Sequence, residues 1–308
     1  AQRSVELLER ITHQDPDDAD AFLLLGHARL AEGEVDRAKD AFDRAVHLGE
    51  RKTLARAYYG MGLVYLQRPY ERYMAIDYFR DAWIKDPTFA DARHQMAQIR
   101  YKLREHDTKH VLEEVLEIDP DRADATMMMG DWYSDFAEEH ENAIVWYAKC
   151  LSMQPDDPEV VRRLGVAYLE LKEYDRIVDT LLGFAQQHPE AIGLFPIVAQ
   201  ACVKRDKPEL ALEMFDRYLS EIDAEERELY EDVELISSRD EYREYRSLSR
   251  EEMQTFLVSF WNGRDPDLST PVNERLLEHY RRVWYSRTHF ARGKKPWDRR
   301  GEVYIRFG

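Results

Sequence analysis

Residues 57–87 read AYYGMGLVYLQRPYERYMAIDYFRDAWIKDP. Tyr58, Met61-Gly62 and Tyr65 are followed there by Ala75, Phe79, Ala82 and Pro87, an order of large, small and aromatic residues that returns along the chain. Asp86-Pro87, Asp119-Pro120, Gln154-Pro155 and His188-Pro189 succeed one another at 33, 35 and 34 residues. Pro16 lies 71 residues before Pro87, two further periods. Gly26, Gly62, Gly130 and Gly165 fall in phase, as do the triplets Ala38, Phe42, Ala45 and Ala143, Tyr147, Cys150. A fixed period of this length marks a stack of identical supersecondary units. Gly and Ala suit the crossing of two helices, where a side chain would hold the backbones apart. The aromatic fills the space between units, and Pro ends the second helix because it cannot donate the next backbone bond. One hairpin cannot hide enough apolar surface to offset the entropy of ordering it, whereas stacked neighbours can.

This pattern resembles the tetratricopeptide repeat family. Phe22, Leu25-Gly26, Gly33, Val35, Ala38, Phe42 and Ala45 carry one copy, and the residues quoted above the next. Met129-Gly130, Tyr133, Ala143, Tyr147 and Pro155 carry another, as do Leu164-Gly165, Tyr168, Tyr174, Leu181 and Pro189. The copy near 90–122 is degenerate, with Ala97 at the Gly position and Arg100 at the Tyr position. The copy near 192–223 keeps Ala199, Ala211 and Phe215 without its Pro. The resemblance implies a mainly α protein. A half repeat over 1–17 and six helix pairs near 19–52, 55–89, 90–122, 123–157, 158–191 and 192–223 would form a superhelix with a concave groove.

After Asp223 the period is lost, and residues 224–308 read as a separate small α+β domain. Ser249 with Glu252 three residues on is a capping box. It opens a helix with Met253, Phe256, Leu257, Phe260 and Trp261 on one face, stopped by Asn262-Gly263. Thr270-Pro271 predicts a second helix, with Thr as cap and Pro at its first position. Gly301–Gly308 alternates and is rich in β-branched and aromatic residues, which predicts a strand. Phe260-Trp261, Arg264-Asp265-Pro266, Thr270-Pro271, Asn273-Glu274, His279-Tyr280, Arg282-Val283, Trp297-Asp298-Arg299 and Val303-Tyr304-Ile305 follow in an order similar to the GWxTD domain, a bacterial module. Pro296-Trp297-Asp298 stands where that family has Gly-Trp-x-Thr-Asp. The family's chain runs on past the strand, so the resemblance implies a domain cut short at Gly308. It also implies a bacterial cell-envelope setting.

The chain has 308 residues, 44% of them hydrophobic, enough for a core. Lys and Arg number 44 against 61 Asp and Glu, a formal charge of −17. Such a chain is repelled by nucleic acid and by anionic membrane. No stretch has the roughly 18 apolar residues of a membrane span, and the residues from Ala1 do not read as a signal peptide. The charge is uneven: residues 275–308 hold ten basic and three acidic residues, +7, leaving −24 for the rest. Tyr280, Trp284, Tyr285, Phe290, Trp297, Tyr304 and Phe307 lie among those cations. Basic residues interleaved with aromatics can bind single-stranded nucleic acid. The plainer account makes the aromatics a core and pairs the arginines with acidic neighbours.

Motifs for chemistry are sparse. His106 and His110 would stand one helical turn apart if helical, a metal-pair spacing without a third ligand. Cys150 and Cys202 fall at core positions of the repeat, which predicts buried, inert thiols. No phosphate-binding Gly-rich loop, HExxH or Gly-x-Ser-x-Gly occurs, and no cofactor or metal is expected. The repeat resemblance implies that first helices line the groove. By register the groove carries Leu23, His27, Tyr59, Leu63, His94, Gln98, Tyr101, Met127, Asp131, Arg162, Val166, Gln200 and Lys204, a mixture suited to an extended peptide or partner helix. The expected function is therefore a non-catalytic scaffold for a protein partner in a bacterial, cell-envelope assembly. Two other classes stand beside it. One is an enzyme with a site around His279, Arg282, Trp297 and Asp298. The other is a homo-oligomer in which acidic faces meet basic ends.

Overall fold

A computed structural model describes residues 2–68 and 71–308, which divide into two compact units, one ending at Glu139 and the other running from His140 to Gly308. The first unit holds α1 (Gln2–Gln14), α2 (Ala19–Ala31), α3 (Val35–Leu48), α4 (Arg51–Leu66), α5 (Arg72–Lys85), α6 (Ala90–Lys102), α7 (Thr108–Ile118) and α8 (Ala123–Trp132). A π-helical turn, Tyr133–Ala137, closes it. α2 packs on α3, α4 on α5 and α6 on α7, each pair against the next. Asp15-Pro16, Asp86-Pro87 and Asp119-Pro120 follow directly on the ends of α1, α5 and α7.

The glycines do what close helix crossing requires. Phe42 is wholly buried, and a Cβ on Gly26 would lie 2.6 Å from its ring. A Cβ on Gly60, in the following pair, would overlap the same ring. Phe79 covers Gly62 likewise. One aromatic thus fastens two successive pairs, as the spacing of small and large residues predicts.

The second unit opens with α9 (His140–Met153) and α10 (Pro158–Glu170). α11 (Tyr174–Arg176) runs through a π-helical turn, Ile177–Leu181, into α12 (Leu182–Gln187). A 3-10 turn, Ile192–Leu194, leads to α13 (Phe195–Lys204), and α14 (Pro208–Glu221) completes the last pair. α15 (Ala224–Glu231), α16 (Arg239–Ser247), α17 (Arg250–Asn262), α18 (Glu274–His289) and α19 (Arg299–Phe307) follow. One core runs from Val161 and Phe215 in the repeats to Leu277, Val283, Trp284 and Ile305 in α18 and α19. A second, smaller core joins Val233, Tyr245, Leu257, Phe260 and Trp261.

Two sequence expectations are corrected here. The strand over 301–308 is the helix α19, and no strand occurs among the described residues, so the terminal region is all α. Asp298 caps α19 by accepting from the Arg300 amide at 2.9 Å. Gly301 and Ile305, four apart, face inward, while Val303 and Phe307 are exposed. A short apolar run does not by its period alone distinguish strand from helix. The helix foreseen at Thr270-Pro271 begins instead at Glu274. Asn273 is the cap: its Oδ1 accepts from Leu276 N at 2.9 Å and its Nδ2 donates to the Trp261 carbonyl at 2.7 Å. That second bond ties α18 to α17, which Thr270 is not placed to do. No helix among the described residues is long and apolar enough to cross a membrane.

Candidate functional site

In the first unit the first-helix positions form a band of polar and aromatic side chains. Tyr59 is half-buried against Phe79 and Phe89, with ring centroids 5.4 and 5.1 Å away, and burial raises its phenol pKa. His94 is 1% exposed, so it belongs to the floor of the face rather than to its surface. Its Nε2 lies 2.9 Å from Gln98 Nε2 and 3.2 Å from Asp124 Oδ2. Tyr101 donates its hydroxyl to Asp135 and packs on Phe136. Met127 and Asp131 are half-exposed.

Sequence reasoning missed the carboxylates that organise this face. Asp91 and Asp124 both receive the Arg122 guanidinium, at 2.6 and 2.8 Å. Burial works against the charge on Asp124, but bonds from His94 and Arg122 outweigh it and hold the carboxyl well below its usual range. The signal was present: Ala19-Asp20-Ala21, Ala90-Asp91-Ala92 and Ala123-Asp124-Ala125 open three first helices. In two of them the aspartate reaches the next pair, Asp20 to Thr53 at 2.9 Å and Asp91 to Arg122. His106 lies in the turn before α7, so it does not share a helical turn with His110, and both are exposed.

In the second unit Gln200, Val166 and Lys204 meet the chain's own C-terminal region. Gln200, 8% exposed, donates to the Arg281 carbonyl at 3.1 Å and accepts from Arg281 Nε at 2.9 Å. Lys204 and Val166 border a cavity of about 240 Å3 closed by Trp284, Tyr285 and Tyr304. Arg162 is held by Glu159 at 2.8 Å. α18 therefore lies on the last pair, with Tyr280 against Phe215 at 5.8 Å, and its Arg287 pairs with Glu226 of α15 at 3.0 Å. Arg281 and Arg282 pair with Glu278, and Tyr280, Trp284, Tyr285 and Trp297 belong to the core or pack on it, whereas Phe307 and Arg299 are exposed.

The residues of the GWxTD-like motif hold the helices together. Arg264 stacks on Phe260 at 3.5 Å and pairs with Glu241 at 2.7 Å. Asp265 closes a turn onto Asp267 N, and Glu274 accepts from Thr270 Oγ1. Arg282 bonds Glu278 at 2.8 Å and reaches the Ile305 carbonyl at the end of α19. Trp297 packs over Gly301, and Arg299 is exposed. His279 and Asp298 are not brought together as an acid–base pair. His279 Nε2 is engaged by the Tyr230 carbonyl at 3.1 Å, and Asp298 binds Arg300 at 2.8 Å. Cys150 and Cys202 are buried, and burial pushes the Cys202 thiol up.

Burial lowers the His279 pKa from 6.5 to about 4, with the nearby charges of Arg275 and Arg282 adding to it. A depressed folded value means that the unfolded chain binds more protons between those two pH values. Stability is therefore full above pH 6.5 and lost as the pH falls towards 4. Chemical denaturation at pH 7.5 and 4.5 should show His279→Gln, whose amide can still donate to Tyr230, losing ~2 kcal/mol less than the wild type across that interval. Equal losses would remove His279 as the titrating group.

The tetratricopeptide repeat family matches residues 1–57. Over 66 residues the chain is 38% identical to the cell division cycle protein 27 homolog of Caenorhabditis elegans, covering 21% of this chain and 8% of that protein. Over 161 residues it is 26% identical to tetratricopeptide repeat protein 21B of Mus musculus, covering 51% of this chain and 12% of that one. The chain thus spans a small fraction of either relative's length. Among solved structures, PilF of Pseudomonas aeruginosa superposes with a TM-score of 0.53 at 17% identity, covering 74% of this chain and 96% of the other. That likeness is one of fold. The chain carries tetratricopeptide repeats and is mainly helical.

Proposed function

We propose that the protein is a non-catalytic interaction scaffold whose first unit receives a segment of another protein along its first helices. The observation that carries this reading is α18. In the second unit a helix already lies against first helix α13, anchored by the two bonds between Gln200 and Arg281. A surface built of the same repeat thus accepts a helix by packing plus a few polar bonds. The first unit consists of repeat helices alone, and Tyr59, Gln98, Tyr101, Met127 and Asp131 stand half-exposed along them. Rigid helices hold such a face ready, so binding costs mainly the ordering of the partner.

We place this activity in a bacterial cell-envelope assembly, a setting supported by the GWxTD-like order of residues 260–305 alone. Cell fractionation of the native protein tests it, and recovery in the cytosolic fraction alone would reject it. The groove is tested by cross-linking in cells. Tyr101→Glu with Met127→Glu should abolish the wild-type cross-linked species while leaving the circular dichroism spectrum unchanged. An unaltered cross-link pattern would reject the face.

A further inference from the structure

The second unit holds a cavity of about 240 Å3 where α10 and α13 meet α18 and α19. Drug-sized sites begin at roughly 300 Å3, so a ligand here is small. One wall is aromatic: Tyr285 stacks on Tyr304 at 4.6 Å and packs on His289 at 4.1 Å. Val166 and Leu169 add aliphatic surface. The charged groups on the cavity are mostly donors. Lys172 and Lys204 are exposed there, and neither pairs with an acid among the described residues. Arg281 is already bonded to Gln200 and Glu278. Glu170, the one carboxylate among the described lining residues, stands 3.8 Å from His289 Nε2. Trp284 is 8% exposed, yet its indole N–H, which can only donate, has no acceptor among the described residues. Buried tryptophan nitrogens usually find a partner. Those of Trp83 and Trp132 are unpartnered too but sealed from solvent, whereas that of Trp284 is not sealed, and its ring borders the cavity. The N–H thus opens on this space and lacks an acceptor.

We propose that this cavity binds a small aromatic carboxylate. The ligand's ring lies against Tyr285 and the aliphatic side chains, and its carboxylate accepts from the two ammonium groups and the indole N–H. A single negative charge suits the place better than the two of a phosphate. Lys204 ends α13 and Lys172 follows α10, and helix C-termini carry partial negative charge of their own. The cavity lies wholly within the second unit and is independent of the face on the first, so loss of either binding leaves the other untouched.

Calorimetry on the whole chain tests the site with phenylacetate, its uncharged amide phenylacetamide, and acetate, which lacks the ring. One saturable site for phenylacetate is expected, with the amide and acetate each weaker by about tenfold or more. Lys204→Gln should weaken phenylacetate by about tenfold, whereas Lys85→Gln, in the first unit, should leave it unchanged. Both lysines are exposed, so neither change disturbs a core. The indole N–H resonance of Trp284, the one lost in Trp284→Phe, should shift on titration. The proposal is overturned by absence of saturable phenylacetate binding, by equal binding of phenylacetamide or acetate, by equal weakening in Lys85→Gln, or by an unmoved Trp284 resonance. Tighter binding of N-acetyl-glycyl-phenylalanine than of phenylacetate would give the cavity to the end of a protein chain and overturn it as well.

Discussion

A chain ending at Asn273 is expected to lose the fold of residues 140–273, not merely a terminal appendage. α18 and α19 place Leu277, Val283, Trp284 and Ile305, each 8% exposed or less, in the same core as Phe215 and Tyr230. Removing four such side chains gives up on the order of 8 kcal/mol of apolar burial. That matches the whole stability of an ordinary domain, about 5–15 kcal/mol. It also strips Gln200 of both its bonds to Arg281. Limited proteolysis at 25 °C should cut residues 140–273 of the shortened chain rapidly while the first unit resists. If that region stays protected and melts at the wild-type temperature, α18 and α19 are an independent appendage and the shared core is refuted.

The second large effect belongs to Phe42. Its ring is fully buried and rests on Gly26 in its own helix pair and on Gly60 in the next. Phe42→Ala should cost about 3–5 kcal/mol, because two helix backbones held apart by the ring cannot both close on the void. Gly60→Ala should also destabilise, since its Cβ would overlap the ring. The two changes touch one space, so they are not additive. In a Phe42→Leu background Gly60→Ala should cost at least about 1 kcal/mol less than in the wild type. Urea denaturation of the four proteins measures this coupling. A cycle that closes with no interaction energy means that the ring and the glycine do not meet.

The repeat was legible in the sequence because its determinants are local and recur. Gly26 and Phe42 are 16 residues apart, and Gly62 and Phe79 are 17. The same small and large residues return in each period, so one reading is checked by the next. The capping box at Ser249 and Glu252 was legible for the same reason, as a rule confined to one turn. The groove was readable as a list of positions but not as a surface. Register placed His94 and Gln200 on first helices, while burial and partners made one a floor residue and the other an anchor for Arg281. The aspartates that organise the face went unread because each acts across to the neighbouring pair.

By itself, then, the order of residues determined the helix pairs, their period and the small positions at their crossings, all consequences of backbone chemistry within about one repeat. Only the tertiary structure decided that 301–307 is helical, that α18 starts at Glu274 behind an Asn273 cap and that it rests on the last pair. It also decided that His279 faces the Tyr230 carbonyl instead of Asp298. Those outcomes turn on partners 81 residues apart for Gln200 and Arg281, and 49 for Tyr230 and His279. No local period encodes such pairings. They are selected by which surfaces bury apolar area and satisfy polar groups together.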